Sequence, residues 1–275
     1  MELIVFDLDG TLLNAEQKIS PYTQETLRML GERHIAYTVA TGRTLHASRA
    51  CLEGHSFPLP HIYKNGVVIW DPERNGYTHT TYLTSDEIAA VLTAFEGRLV
   101  TPFIFTVEED GEHTVYHPPV RSAHCRSFLA ELSENRGLPL LPLSALPANA
   151  QIANISALGD GDAIKAINLD LAEQPHLVAY FGPGMYSPGA YWMDIHHSAA
   201  SKGSAVDVLK KELGFARIIC FGDGDNDASL FALADESYAP DNAIPEIKQM
   251  ATAVIGHHDQ DGIARFLRER FDLPR

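Results

Sequence analysis

The chain has 275 residues, an ordinary apolar share and a formal net charge of −15. No Lys/Arg-rich face offsets that charge, which excludes a grip on nucleic acid. Cys51, Cys125 and Cys220 lie far apart with no CxxC pair, against a disulfide framework or a zinc knuckle and in keeping with a reducing compartment. Asp7 and Asp9 interrupt the first apolar run, so no secretory signal is expected. Nor is there an apolar stretch of roughly twenty residues to span a bilayer. The expectation is a soluble cytoplasmic protein without nucleic-acid or membrane partners, a monomer or weak homo-oligomer. Arg265, Arg268, Arg270 and Arg275 read as the solvated face of a terminal helix.

In chain order, Leu3-Ile4-Val5-Phe6 is a short continuous apolar run, as in a strand buried on both faces. Ser20-Pro21 opens a helix that runs through Thr26, Leu27 and Leu30 to about Gly31. A second buried strand spans Ile35 to Ala40, a helix follows, and a third strand lies near His61-Ile62-Tyr63. Strand and helix alternate, which calls for a parallel sheet with right-handed crossovers. Val67 to Trp70 and Tyr77 to Leu83 read as a hairpin around Asn75-Gly76.

The alternation then breaks. Helices are expected at Ser85 to about Glu96, around Ser122 to Glu134 and from Asp162 to Ala172. Strands are expected at Phe103 to Val107, Gln151 to Ala157 and Leu177 to Phe181. This is an α+β insert over residues 83–187, with hinges near Leu83 and Pro183 to Gly189. The first grammar returns with a helix from Ser201 to Leu213, a strand at Ile218 to Phe221 and a short helix from Asn226 to Leu233. Strands near Tyr238 and Val254 precede the terminal helix. The fold class is α/β: a Rossmann-like parallel-sheet core of residues 1–82 and 188–275, carrying the insert.

Four polar stretches sit at core strand ends or helix starts: Asp7-Leu-Asp-Gly-Thr11, Thr41-Gly42-Arg43, Ser201-Lys202-Gly203 and Gly222-Asp-Gly-Asp-Asn-Asp227. Ligands bind outside the carboxyl ends of strands in such sheets. Asp7 and Asp9, two apart in an extended segment, can point to one side. Packed with Asp223 and Asp227 they repel, and a hard divalent cation relieves that cost. Lys202 adds a positive point charge, Thr41 a hydroxyl, and the Gly10 turn exposes backbone amides. Phosphoryl transfer needs mainly positioning and charge neutralisation. Each motif alone also reads as a turn, a cap or a surface lysine; the four in this order do not. Asp223 to Asp227 mimics an EF-hand start, but the sixth position is Ala228 and the twelfth Ala234. No Walker loop occurs. His196-His197 and His257-His258 are poor chelates, and Phe103, Phe105, Tyr116, Tyr180, Phe181 and Tyr186 are assigned mainly to core.

DxDGT, T-G-R, S-K-G and GDxxND, together with Lys64-Asn65-Gly66 and Asp241-Asn242-Ala243, resemble the haloacid dehalogenase superfamily of phosphatases, specifically the Cof-type group with a large α/β cap. Leu230 stands where that family often has methionine. The resemblance implies Asp7 as nucleophile and Asp9 as general acid/base. It implies Thr41, Gly42, Lys202 and Asn226 around the phosphoryl group, and Mg2+ held by Asp7, the Asp9 carbonyl and Asp223, with Asp227 supporting its waters. The expected function is a magnesium-dependent phosphatase of small phosphorylated metabolites, sugar phosphates first, with selectivity in the cap. A phosphomutase sharing the aspartyl phosphate, or a non-catalytic phospho-ligand sensor, remains the alternative. The intact Asp9 speaks against the sensor.

Overall fold

The computed structural model describes residues 1–108, 112–135, 137–184 and 190–274. It divides into two compact units, Met1–His79 with Ser201–Arg275, and Thr80–Ala200.

In the first unit, β1 (Glu2–Phe6), β2 (Ala36–Val39), β12 (Arg217–Phe221), β13 (Glu236–Pro240) and β14 (Ala253–Ile255) form a parallel sheet in the order β14-β13-β12-β1-β2. The apolar run of β1 forms the centre because side chains alternate between two covered faces. Ile4 and Phe6 pack with Leu27 and Leu30 of α1 (Pro21–Glu32), Leu52 of α2 (Leu45–Leu52) and Leu267 of α9 (Gly262–Arg270). Leu3 and Val5 pack against Val206 and Leu209 of α6 (Lys202–Glu212), Leu230 of α7 (Ala228–Leu233) and Ile247 of α8 (Pro245–Met250). The start of α1 follows the expected chemistry: Ser20 accepts from the Thr23 amide and Pro21 fills the first turn. Beyond β2, the strands β3 (His61–Tyr63), β4 (Val68–Asp71) and β5 (Gly76–Thr80) make a small sheet of their own.

The second unit holds a six-stranded sheet in the order β10-β11-β9-β6-β7-β8. Its strands are β6 (Val100–Val107), β7 (His113–His117), β8 (Leu140–Pro142), β9 (Ile152–Asp160), β10 (Leu177–Pro183) and β11 (Ala190–His197). All pairings are antiparallel except β7 with β8. Helices α3 (Ser85–Phe95) and α5 (Gly161–Leu171) cover one face through Val91, Phe95, Ile164 and Ile167, which meet Ile104, Ile155 and Ile195. Helix α4 (Ala123–Ala130) contributes Cys125 to a cluster on the other face, over Phe103, Phe105 and Val115.

Three expectations need correction. The return to the core comes after Ala200, not at residue 188, because β11 hydrogen-bonds to both β9 and β10. The proline- and glycine-bearing stretch read as the second hinge is therefore the β10–β11 connection, and its residues 185–189, Tyr186 among them, lie outside the described residues. Second, β7, β8 and β11 were not anticipated. One face of β11 carries Trp192, Asp194 and His196, so its apolar signal is only half that of a buried strand. Third, Arg268 is not solvated. It is 5% exposed, lies 3.8 Å over the Tyr22 ring and donates to Thr26 Oγ1 at 2.8 Å and to the Pro274 carbonyl, because α9 packs on α1. Arg275 lies outside the described residues. The three cysteines are free and buried, and no described helix is long and apolar enough to cross a membrane.

Candidate active site

Asp7 sits one residue past β1, where its amide still bonds the Phe221 carbonyl at 3.0 Å. The chain must then turn sharply, and Gly10 supplies a φ of +70°. Space enforces the same choice, since a β-carbon at Gly10 would stand 2.3 Å from Asp223 Oδ2. Asn242 holds the turn by donating from Nδ2 to the Gly10 carbonyl at 2.7 Å, and Thr11 Oγ1 donates to Asp223 Oδ1 at 3.1 Å. The first strand's loop and the loop after β12 are thus bound to one another.

Lys202 opens α6, fully buried, and donates to Asp7 Oδ1 at 2.6 Å and to Asp227 Oδ1 at 2.7 Å. The other oxygen of Asp227 accepts from the Asp223 and Gly224 amides at 2.9 and 3.0 Å. Carboxylate oxygens of Asp7, Asp223 and Asp227 lie within 4.8 Å of one another. Burial holds Asp7 well above the usual carboxylate range; Lys202 opposes this, and the neighbouring Asp227 and Asp223 charges reinforce it. Asp223 is pushed up to about 6, by burial first and then by Asp227. Burial would lower Lys202, but the Asp227 and Asp7 charges outweigh it and the ammonium is favoured.

A second network flanks the first. The Asn65 amide donates to the Thr41 carbonyl at 2.9 Å, and its Oδ1 accepts from Asn226 Nδ2 at 3.0 Å. A β-carbon at Gly42 would lie 3.2 Å from that Oδ1. Thr41 is buried, its hydroxyl accepting from the Arg43 amide at 3.2 Å. Thr41, Gly42 and Asn226 are thereby gathered through Asn65, and Asp7, Lys202, Asp223 and Asp227 through the charged cluster.

The Asp9 side chain stands apart from the other three carboxylates, contrary to the expected four-carboxylate pocket. It is half-exposed and gripped by both arms of Arg43, from Nε at 2.7 Å and from the second terminal nitrogen at 2.5 Å. The turn at Gly10 ends the extended segment before its alternation brings the two carboxylates together. Sequence reasoning noted Thr11, Arg43, Asn65 and Asn242 within motifs without giving them roles. Only the pairing across distant loops reveals what each one holds.

The donor set suits a hard divalent cation. It consists of carboxylate oxygens without sulfur or imidazole, and three acids face a single ammonium. Asp7 and Asp223 are the direct ligands that fit, because both oxygens of Asp227 are already committed within the chain.

Comparison with known proteins agrees with this geometry. Residues 4–267 match the haloacid dehalogenase-like hydrolase family. An HMP-PP phosphatase of Serratia proteamaculans is 26% identical, covering 99% of this chain and 96% of its own length. A 5-amino-6-(5-phospho-D-ribitylamino)uracil phosphatase of Bacillus subtilis is also 26% identical, covering 97% of each. Among solved structures, a haloacid dehalogenase-like hydrolase from B. subtilis superimposes with a TM-score of 0.78 at 23% identity, covering 98% of this chain and 99% of that one. The chain belongs to the haloacid dehalogenase-like hydrolase family, and within it is a phosphatase.

Proposed function

We propose that the chain is a magnesium-dependent phosphatase of small phosphorylated metabolites, working in the cytoplasm through an aspartyl phosphate on Asp7. The observation that carries this reading is the buried Asp7 carboxylate, fixed by Lys202 beside Asp223 and Asp227 at the end of a central strand. Such a group has no structural use that an apolar residue would not serve better. The free, buried cysteines support the compartment.

Asp7 attacks phosphorus, forming the Asp7 oxygen–phosphorus bond as the bond to the leaving oxygen breaks. Lys202, which already lowers the cost of the Asp7 charge, turns part of its hydrogen bonding to the phosphoryl oxygens, with Thr41, Gly42 and Asn226 around them. Magnesium, held by Asp7, Asp223 and the Asp9 carbonyl, would supply charge neutralisation during that approach. Asp9 protonates the leaving oxygen and, as a carboxylate, then takes a proton from the water that hydrolyses the acyl phosphate. The Asp9 carboxyl is engaged by the Arg43 fork, so it must leave the guanidinium to reach the leaving oxygen.

Among small metabolites, sugar phosphates come first, on the family resemblance alone. Phosphate release should stop in excess chelator and return with magnesium. In an Asp9→Asn variant given a substrate with a good leaving group, mass spectrometry should find phosphate on Asp7. Undiminished release in chelator, or label on a serine or histidine, would overturn the reading.

A further inference from the structure

The core unit holds a cavity that the phosphoryl chemistry does not use. Helix α2 and the strands β3 and β4 enclose a volume of about 400 Å3, within the range of small-molecule sites. None of its lining residues belongs to the charged cluster or to the Asn65 network. Leu45, Arg49 and Leu52 come from α2 and Glu53 from just past its end, a spacing that sets them on one side of the helix. Opposite them, His61 and Tyr63 lie two apart on β3 and share a face, and register sets Trp70 of β4 beside His61.

The three rings are fixed in place. His61 Nε2 donates to the Phe57 carbonyl at 3.0 Å, because a carbonyl only accepts. In the neutral ring that burial favours, Nδ1 then accepts from the Tyr63 hydroxyl at 2.9 Å. The polar atoms of this wall are thus satisfied by one another. Trp70 is half-buried, and its indole meets the Tyr77 ring at 73° with centroids 5.1 Å apart. The wall is an aromatic surface already shaped to receive a ring.

The rim carries two opposite charges that do not close on each other. Arg49 and Glu53 are exposed, one helical turn apart, and neither side chain has an ion pair or hydrogen bond among the described residues. The same Arg-to-Glu spacing does close on α1, where Arg28 grips Glu32, and Lys211 closes on Asp207 in α6. A ligand bearing only a carboxylate or a phosphate would meet Arg49 but be repelled by Glu53. One bearing only an amine would meet the reverse. A zwitterion satisfies both.

We propose that this cavity binds an aromatic α-amino acid, its ring against Trp70, its carboxylate on Arg49 and its ammonium on Glu53. The aliphatic side chains of Leu45 and Leu52 would cover the other side of the ring. The site belongs to the core unit alone and takes no part in phosphoryl transfer.

The test reads binding directly on the full-length protein. The chain has two tryptophans, so Trp192→Phe leaves Trp70 as the only indole reporter. Four probes are titrated in that background: L-phenylalanine, 3-phenylpropionate, phenethylamine and L-norleucine. L-Phenylalanine should change Trp70 emission saturably. The two probes lacking one charge should bind about tenfold more weakly, the scale of one charge-assisted hydrogen bond, and so should the ringless norleucine. Arg49→Met should weaken L-phenylalanine and 3-phenylpropionate and spare phenethylamine. Glu53→Gln should weaken L-phenylalanine and phenethylamine and spare 3-phenylpropionate. Both positions are exposed, and circular dichroism checks that the variants fold. Trp70→Leu, followed by calorimetry, should weaken every ring-bearing probe. The proposal is overturned by the absence of a saturable change up to the solubility of L-phenylalanine, by norleucine binding as tightly, or by charge variants that weaken all three ring probes alike.

Discussion

The two units both cover a sheet with helices, yet they bury charge in different ways. The parallel core buries Lys202, Asp227 and Asp7 together in one hydrogen-bonded group. The insert buries one carboxylate, Glu87, and only as part of a helix cap, while Asp194 and Trp192 stay within reach of solvent. Buried ions are tolerated only when each has its partner, so every core position depends on the others. Half-exposed positions on a sheet face carry no such debt. One region is therefore fixed to a single chemistry, while the other tolerates substitution at its half-exposed positions.

The largest expected effect tests that contrast at its strongest point. Asp7→Asn should lower kcat by about 10^4-fold or more, the scale of losing a nucleophile, with the fold retained by circular dichroism. Asp170→Asn, which breaks only an exposed pair with Arg98 in the insert, should leave kcat within a few-fold. If the two variants behaved alike, the division of labour would be wrong.

Next comes stability. Lys202→Met leaves Asp7 and Asp227 buried without their cation and should cost about 3–5 kcal/mol in urea unfolding. Removing the partly exposed Arg98 from its 2.6 Å pair with Asp170 in the insert should cost less than about 1 kcal/mol.

A third measurement uses pH. Asp223 in the fold is raised to about 6, above its unfolded value, so the folded state binds more protons between the two. Its contribution to stability is therefore present at low pH and lost as pH rises through about 6. Buried His61 is lowered and works in the opposite direction below its ordinary range. The clean observable is thus a difference. In metal-free protein, Asp223→Asn should gain stability over the wild type at pH 8, and that gain should shrink as pH falls below 6. Magnesium should reverse the order at pH 8 by binding the wild type alone. An equal difference at all pH values would count against the buried-carboxylate account.

The smallest effect compares two helix caps of similar chemistry. Thr84 caps α3 in the insert and Ser201 caps α6 in the core, each closing a capping box. Either alanine variant should cost about 1 kcal/mol. Only Ser201→Ala should also depress kcat, because the residue after that cap is Lys202.

The same contrast explains what could be read from residues alone. Leu3 to Phe6 and Ile218 to Phe221 announce themselves because strands covered on both faces are uniformly apolar, and a carboxylate directly after such a run stands out. Asp7 and Asp223 were legible for that reason, and Lys202 and Asp227 through the S-K-G and GDxxND motifs. The strand β11 was not, since its hydrophobic face alternates with Trp192, Asp194 and His196, and the neighbouring glycines and prolines suggested a boundary instead. The Arg43–Asp9 fork was hidden for another reason. Thirty-four positions separate the partners, and only the fold places them side by side.

The order of strands also governs when the protein becomes an enzyme. Strand β1 lies between β2 and β12, and Glu2 bonds to Arg217 across 215 positions of chain. During synthesis Asp7 emerges before the insert, and its lysine follows only 195 positions later. The insert, a compact unit of its own over Thr80–Ala200, can fold while the ribosome is still at work. Leu3-Ile4-Val5-Phe6 must wait, an apolar segment without its later partner, and long-range pairing of this kind is slow. Nascent chains stopped short of residue 217 would thus display an ordered insert beside an unfinished catalytic half, open to chaperones and unable to turn over substrate.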